Sequence, residues 1–223
     1  MNRFEWADMP GQTAFPIARP GYPFIGAAVF VTLVFAIVGL KVLALVALLV
    51  CVGICGFFRD PDRVVPVDAA AVVSPADGRV LSVERITDAR FFDGPCVKIS
   101  IFMSVFNVHV NRVPFSGRVE NVVYHPGSFF SANLDKAAAS NEHNAVKISI
   151  DNGDTIWFVQ IAGLIARRII SGLQVGHEVI KGQRFGMICF GSRLDLYLPE
   201  RYRVDVRVGQ KVQAGTTIVG FVS

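Results

Sequence analysis

The stretch Phe185-Gly-Met-Ile-Cys-Phe190-Gly191-Ser192-Arg-Leu194-Asp-Leu-Tyr-Leu198 decides how the chain is read. Its two apolar segments, 185–190 and 194–198, read as strands. Between them stands a Gly-Ser pair. Glycine takes strained or left-handed backbone angles without a side-chain clash, and a serine directly after it can swing its hydroxyl back onto the glycine carbonyl. That is the geometry of an N-to-O acyl shift, by which a chain cuts itself. Taken alone, a Gly-Ser dipeptide is most often a turn. Its meaning depends on what surrounds it.

Going outward, the same β texture runs back to Val64. Gly78-Arg-Val-Leu-Ser-Val83, Cys96-Val-Lys-Ile-Ser-Ile-Phe102, Ala145-Val-Lys-Ile-Ser-Ile150 and Thr155-Ile-Trp-Phe-Val-Gln-Ile161 are short β-branched runs separated by Gly, Pro and Asp. They predict a mostly-β domain of small sheets, with a helical turn or two in 128–140. An internal repeat is also legible. Val175-Gly-His-Glu-Val179-Ile-Lys-Gly182 is echoed by Val208-Gly-Gln-Lys-Val212-Gln-Ala-Gly215, and Asp77-Gly-Arg-Val by Ser116-Gly-Arg-Val. Such repetition marks a duplicated supersecondary unit. The V-G-x-x-V-x-x-G form resembles half of a lipoyl- or biotinyl-type barrel sandwich. The carrier lysine at a hairpin tip has no counterpart here, so the likeness is architectural.

Composition separates this domain from what precedes it. Of 223 residues 52% are hydrophobic, and the mean hydropathy of +0.47 is high for a soluble globule. The excess lies in residues 22–58, in two apolar halves, Tyr22–Leu40 and Val42–Phe58, that flank Lys41. Each half approaches the roughly 20 residues that cross a bilayer as a helix. One tilted helix over the whole block would hold Lys41 at mid-depth, which is expensive; a helical hairpin puts Lys41 at the far turn and is the favoured reading. The hairpin either spans or sits as a re-entrant wedge. Arg3, Arg19, Arg59 and Arg63 flank it, so the positive-inside bias predicts cytoplasmic ends and a cell (inner) membrane location. Pro61 stops the helix. Residues 1–21, rich in Pro and Gly, read as an irregular leader, 22–58 as the membrane anchor and 59–223 as a β-rich domain.

A net charge of +4 suits anionic lipid better than nucleic acid, for which a basic stripe is expected. Cys51, Cys55, Cys96 and Cys189 show neither zinc-ligand spacing nor a disulfide framework, so no metal is expected. Self-cleavage at Gly191-Ser192 asks for a base and an acid to orient it. His109 follows an apolar strand and precedes Asn111 and Arg112, a polar group suited to an anion. His125 reads as a turn residue, His143 as surface or loop, and His177 as a solvated turn. Asp77, in Ser74-Pro-Ala-Asp-Gly78, is the candidate orienting acid, although the same residues describe an ordinary Asp-Gly turn.

Taken together, Phe57-Phe-Arg-Asp-Pro61, Pro75-Ala-Asp-Gly78, Phe102-Met-Ser through Val108-His109-Val-Asn111-Arg112-Val-Pro114, Tyr124-His-Pro-Gly127 and Lys181-Gly-Gln-Arg-Phe-Gly186 through Phe190-Gly-Ser192 resemble the phosphatidylserine decarboxylase family. The match is to its short, membrane-anchored branch and runs in order from Pro20 to Pro199. The resemblance implies a proenzyme that cuts itself at Gly191-Ser192. The products would be a β chain of 1–191 and an α chain of 192–223, held as a tight heterodimer, with Ser192 converted to a pyruvoyl cofactor. It implies a Schiff base with the serine head group and phosphatidylethanolamine and CO2 as products. It further implies Asp77, His109 and Ser192 as the processing triad, with Asn111 and Arg112 on the lipid phosphate or carboxylate. Gly127 and Phe129-Phe130 are candidates for the membrane-side mouth. Long-form relatives carry two histidines three residues apart; here the second position is Arg112, so either His109 serves both steps or another group helps. Archaetidylserine is an alternative substrate. A membrane-tethered serine hydrolase using the same three residues and a non-enzymatic β module are alternatives of other classes. Strand edges on a membrane-bound domain also allow a homodimer.

Overall fold

The computed structural model describes residues 16–87, 90–128, 141–163, 168–189 and 192–223. They form two compact units that divide between Asp62 and Arg63.

The first unit is helical. Helix α1 (Tyr22–Ile37) opens with a proline in its first turn, and α2 (Lys41–Phe57) returns after a short turn. Gly39, at φ 83°, makes that turn, a backbone angle at which a side chain would be strained. No residue of α1 is buried, and only Cys51 and Phe57 of α2 are. Among the described residues these two apolar helices are largely exposed, which is consistent with membrane association. Arg19–Ile37, counting a first 3-10 turn, is long and apolar enough to cross a membrane; Lys41–Phe57 is apolar but shorter. At the base, the Ala18 amide donates to the Phe58 carbonyl and Phe58 stacks on Phe24 at 5.4 Å.

The second unit is mostly β. Its main sheet has eight antiparallel strands: β2 (Gly78–Ile86), β3 (Cys96–Met103), β5 (Gly117–His125), β6 (His143–Ser149), β7 (Thr155–Ala162), β9 (Glu178–Val179), β11 (Ser192–Pro199) and β13 (Lys211–Val212). Their order is β13-β2-β3-β11-β7-β6-β5-β9. Two three-stranded sheets complete the unit. One is β1 (Ala71–Val73), β14 (Ile218–Phe221) and β12 (Arg203–Val204); the other is β4 (Val110–Arg112), β10 (Arg184–Cys189) and β8 (Arg168–Ser171).

The sequence repeat reappears as repeated hydrogen bonding. Val80 and Gly209–Gln210 exchange two backbone bonds, as do Val119 and Gly176–His177; Gly215 N–H donates to Ser74 and Gly182 N–H to Val113. Gly78 and Gly117 occupy matching sites of close approach. A Cβ on Gly78 would lie 2.1 Å from the Phe102 carbonyl oxygen, and one on Gly117 2.2 Å from that of Ser149.

Strand β11 lies at the centre of the sheet and every one of its residues is buried. Successive side chains of a strand alternate faces. Leu194, Leu196 and Leu198 enter the main core with Ile99, Ile101, Phe158 and Phe185. Tyr197 turns to the opposite face, into a second cluster with Cys96, Ala145, Val159 and Ile161 under Phe91 and Trp157.

Two expectations change. The strand after the Gly-Ser pair begins at Ser192 itself, two residues before Leu194. His143, expected at the surface or in a loop, is 1% exposed, because pairing of β6 with β5 and β7 carries it under Phe91. Arg112 is buried as well. Of the stretch 128–140, where a helical turn or two is expected, residues 129–140 lie outside the described residues, as do Phe190 and Gly191.

Candidate active site

Ser192 opens β11 and pairs with Met103 of β3 on one side and Ala162 of β7 on the other. Its hydroxyl is fully buried and faces the sulfur of Met103 at 3.4 Å. The same sulfur accepts from Asn111 Nδ2 at 3.7 Å. A thioether is a weak acceptor, so this buried amide donor has a poor partner in the uncut chain.

Behind Asn111 runs a line of side-chain amides. Gln160 Nε2 donates to Asn111 Oδ1 at 2.8 Å, and Asn144 Nδ2 donates to Gln160 Oε1 at 3.1 Å. All three are buried. A buried polar row survives in a core only when its members satisfy one another.

His109 is presented by the turn between β3 and β4. Asn107 Oδ1 accepts from the Ser104 amide at 2.9 Å and from its hydroxyl at 2.7 Å, fixing the turn. The His109 ring is fully buried with Nδ1 2.9 Å from the Asn107 carbonyl. A carbonyl only accepts, so Nδ1 carries the proton and Nε2 is the basic nitrogen of the neutral ring.

Asp77 sits in a bend before β2. One carboxylate oxygen accepts from Arg63 Nη2 at 2.8 Å and the other from the Ala214 amide at 2.8 Å. Burial pushes its carboxyl above the usual carboxylate range, against the opposing pull of Arg63, the Ala214 amide and Arg112. Arg112 donates to the Gly182 carbonyl at 3.0 Å, and its stem fills the space beside Gly215, where a Cβ would meet its Cδ at 2.8 Å.

Of the residues singled out in the sequence, the structure brings Ser192 and Asn111 together on Met103. It groups Asp77 with Arg63, and with Arg112 through charge. Neither oxygen of Asp77 is used on His109. Sequence reasoning passed over Met103, Gln160, Asn144 and Arg63. Gln160 had a visible signal, a polar residue inside an apolar strand; Arg63, read only as a flanking charge, had none.

Against this geometry, the sequence model of the phosphatidylserine decarboxylase family matches residues 53–220. The chain belongs to the phosphatidylserine decarboxylase family. A phosphatidylserine decarboxylase proenzyme of Desulfotalea psychrophila is 47% identical over 209 residues, 94% of this chain and 98% of the relative. One of Nitratidesulfovibrio vulgaris is 51% identical over 204 residues, 91% and 93% of the two chains. One of Burkholderia mallei is 50% identical over 203 residues, 91% and 94%. The family match spans Asp77, His109, Asn111 and Ser192, so the residues that meet around Met103 lie within the shared region.

Proposed function

We propose that this decarboxylase family member converts phosphatidylserine to phosphatidylethanolamine and CO2 at a membrane surface, after cutting itself between Gly191 and Ser192. The observation that carries the reading is the placement of Ser192. It is the first residue of a central strand, buried near an amide donor whose partner among the described residues is a thioether.

Processing uses the chain's own groups. The Ser192 hydroxyl adds to the carbonyl carbon of residue 191 as its proton passes to a base, for which His109 Nε2 is the candidate. The C–N bond breaks, and that proton goes to the departing nitrogen of residue 192. Loss of the residue 192 Cα proton and cleavage of its Cβ–Oγ bond then release residue 191 as a carboxylate. Water finally replaces the nitrogen as ammonia. Asp77, bonded to Arg63 and to the Ala214 amide, is the candidate acid of this set for the imidazolium that forms on His109.

The surroundings of Ser192 fit a pyruvoyl group, because its carbonyl oxygens need hydrogen donors and Asn111 Nδ2 is a donor with a poor partner. Such a group supplies a carbonyl for the substrate amine and an electron sink when CO2 leaves. His109 is the candidate to return a proton to carbon, and Asn111 to orient the substrate carboxylate. Arg112, buried and donating to the Gly182 carbonyl, reaches lipid only if it leaves that partner.

Cleavage leaves an α chain of 192–223 woven into the β chain of 1–191 as one heterodimer. Anchoring fits the substrate: each buried CH2 of a lipid tail costs about 0.8 kcal/mol to expose, so the enzyme meets the head group at the interface. Residues 22–58 are the proposed anchor in a cell (inner) membrane and 59–223 the catalytic domain on its cytoplasmic side. The duplicated hairpins are read as a barrel-sandwich-like pair, with sheet edges open to a homodimer.

Intact mass of the purified protein beside a Ser192→Ala variant tests the reading. Two chains split at 191/192 are expected, the smaller one lighter than its sequence by one ammonia, with the variant uncut. A full-length wild-type chain that is active yet uncut would refute it.

A further inference from the structure

The amide row Asn144–Gln160–Asn111 has a direction, and the backbone sets it. Gln160 Nε2 lies 3.5 Å from the Ile170 carbonyl as well as 2.8 Å from Asn111 Oδ1. A main-chain carbonyl only accepts, so the nitrogen of Gln160 must face Ile170 and Asn111, and its Oε1 must face Asn144. Asn144 Nδ2 fills that oxygen at 3.1 Å. With Oδ1 of Asn111 taken by Gln160, Nδ2 is left pointing at Met103, where the Ser192 hydroxyl also rests. Were Gln160 reversed, Asn111 would turn its oxygen toward Ser192 and repel any negative charge formed there. Gly186 keeps the row close to the backbone: a Cβ there would stand 2.9 Å from Gln160 Nε2 and 2.3 Å from the Ile170 oxygen.

We infer that Asn111 donates to the oxyanion of the self-cleavage reaction, and that Gln160 and Asn144 are positioning residues that hold its amide in the donating orientation. When Ser192 Oγ adds to the carbonyl carbon of residue 191, the resulting oxyanion is geminal to Oγ. Asn111 Nδ2 and Ser192 Oγ touch the same Met103 sulfur, at 3.7 and 3.4 Å, so the amide donor and the nucleophile border one buried spot. In exchanging the thioether for an oxyanion the amide gains a charge-assisted bond, so the interaction strengthens as the transition state forms. The inference rests on processing at Gly191-Ser192 as proposed above.

The test is the rate at which newly made chains cut themselves, followed by intact mass during cell-free synthesis of the full chain with phospholipid vesicles. Asn111→Ala is expected to slow cutting by about 10²–10³-fold, the usual effect of losing one oxyanion donor. Gln160→Met should slow it by at least about ten-fold, the scale on which supporting partners act. In the Asn111→Ala background Gln160→Met should add nothing, because it acts only through Asn111. Asn144→Leu, one step further back, should show the same background dependence and serves if Gln160→Met does not fold. Wild-type rates in Asn111→Ala, or equal slowing by Gln160→Met in both backgrounds, overturn the inference. A wild-type chain that never cuts overturns the proposed function instead.

Discussion

Arg193, the second residue after the proposed cut, pairs with Asp195 two positions on, and removing one partner is the sharpest test of the structure. The two side chains share one face of β11, with Nε–Oδ1 at 2.6 Å and Nη2–Oδ2 at 3.0 Å; Nη2 also donates to Ser100 Oγ at 2.8 Å. Asp195 is fully buried and both its oxygens are bonded to Arg193. Arg193→Met therefore strands a carboxylate inside the sheet, a loss of about 3–5 kcal/mol. At about 1.4 kcal/mol per factor of ten this lowers the ratio of folded to unfolded protein by two to four powers of ten, a large part of the roughly 5–15 kcal/mol available to a domain. Arg193→Met combined with Asp195→Leu removes both charges and should recover most of the loss, short of about 1 kcal/mol for the Ser100 bond. Urea unfolding in detergent micelles, on a Ser192→Ala background so that one uncut chain is present, measures both variants by tryptophan fluorescence. Trp157 packs near Tyr197 in the same outer layer and reports its loss. A single variant that costs less than about 1 kcal/mol, or a double variant no better than the single, refutes the argument that buried charge balance holds this strand.

Two further outcomes follow from the geometry. Gly186→Ala places a methyl 2.3 Å from the Ile170 oxygen and must part β10 from β8; overpacking of this kind costs about 1–3 kcal/mol. Because the same methyl crowds Gln160, self-cleavage should slow at temperatures where circular dichroism still shows a folded chain. His143→Gln should flatten the acid side of the stability curve. Burial pushes the His143 ring below its ordinary range, with Arg90 and His125 acting in the same direction against the Asn141 carbonyl. A depressed histidine contributes stability that is complete above about pH 6.5 and is lost as pH falls through that value toward the folded one. Thermal unfolding midpoints at pH 8 and pH 5.5 should therefore differ more in the wild type than in the variant; equal differences would remove His143 as the cause.

Much of the fold can be read from local composition. The β-branched runs at 78–83, 96–102 and 155–161 fall within β2, β3 and β7, and that at 145–150 overruns β6 by one residue, because strand preference and periodic burial are local properties. The repeat in V-G-x-x-V-x-x-G was legible for the same reason: it encodes tight turns with glycine at positive φ, at Gly176, Gly182, Gly209 and Gly215. What escaped depends on layers. Asn141-Glu-His-Asn144 looks like a polar loop, yet cross-strand pairing with His125 and Ile161 buries it. Arg193 and Asp195 alternate with leucines and suggest a solvent face, but this sheet is covered on both sides. Within the candidate site, Ser192 and Asn111 were identified by residue type, whereas the link between them is a methionine sulfur from another strand, and no local pattern announces that.

The central place of β11 has a consequence for the life history of the molecule. The proposed cut before Ser192 would free one end of a strand that pairs with both β3 and β7, in a segment whose β13 and β14 pair with β2 and β1. Under the proposed cleavage the small chain would belong to the large one in the way a woven thread belongs to cloth. The instructions for that weaving would reside in the continuous precursor, and cutting would erase them. Once unfolded, two separate pieces would have to find each other at a cost in entropy that the single chain never met, so a cut molecule would persist by the slowness of its unravelling more than by any ability to refold.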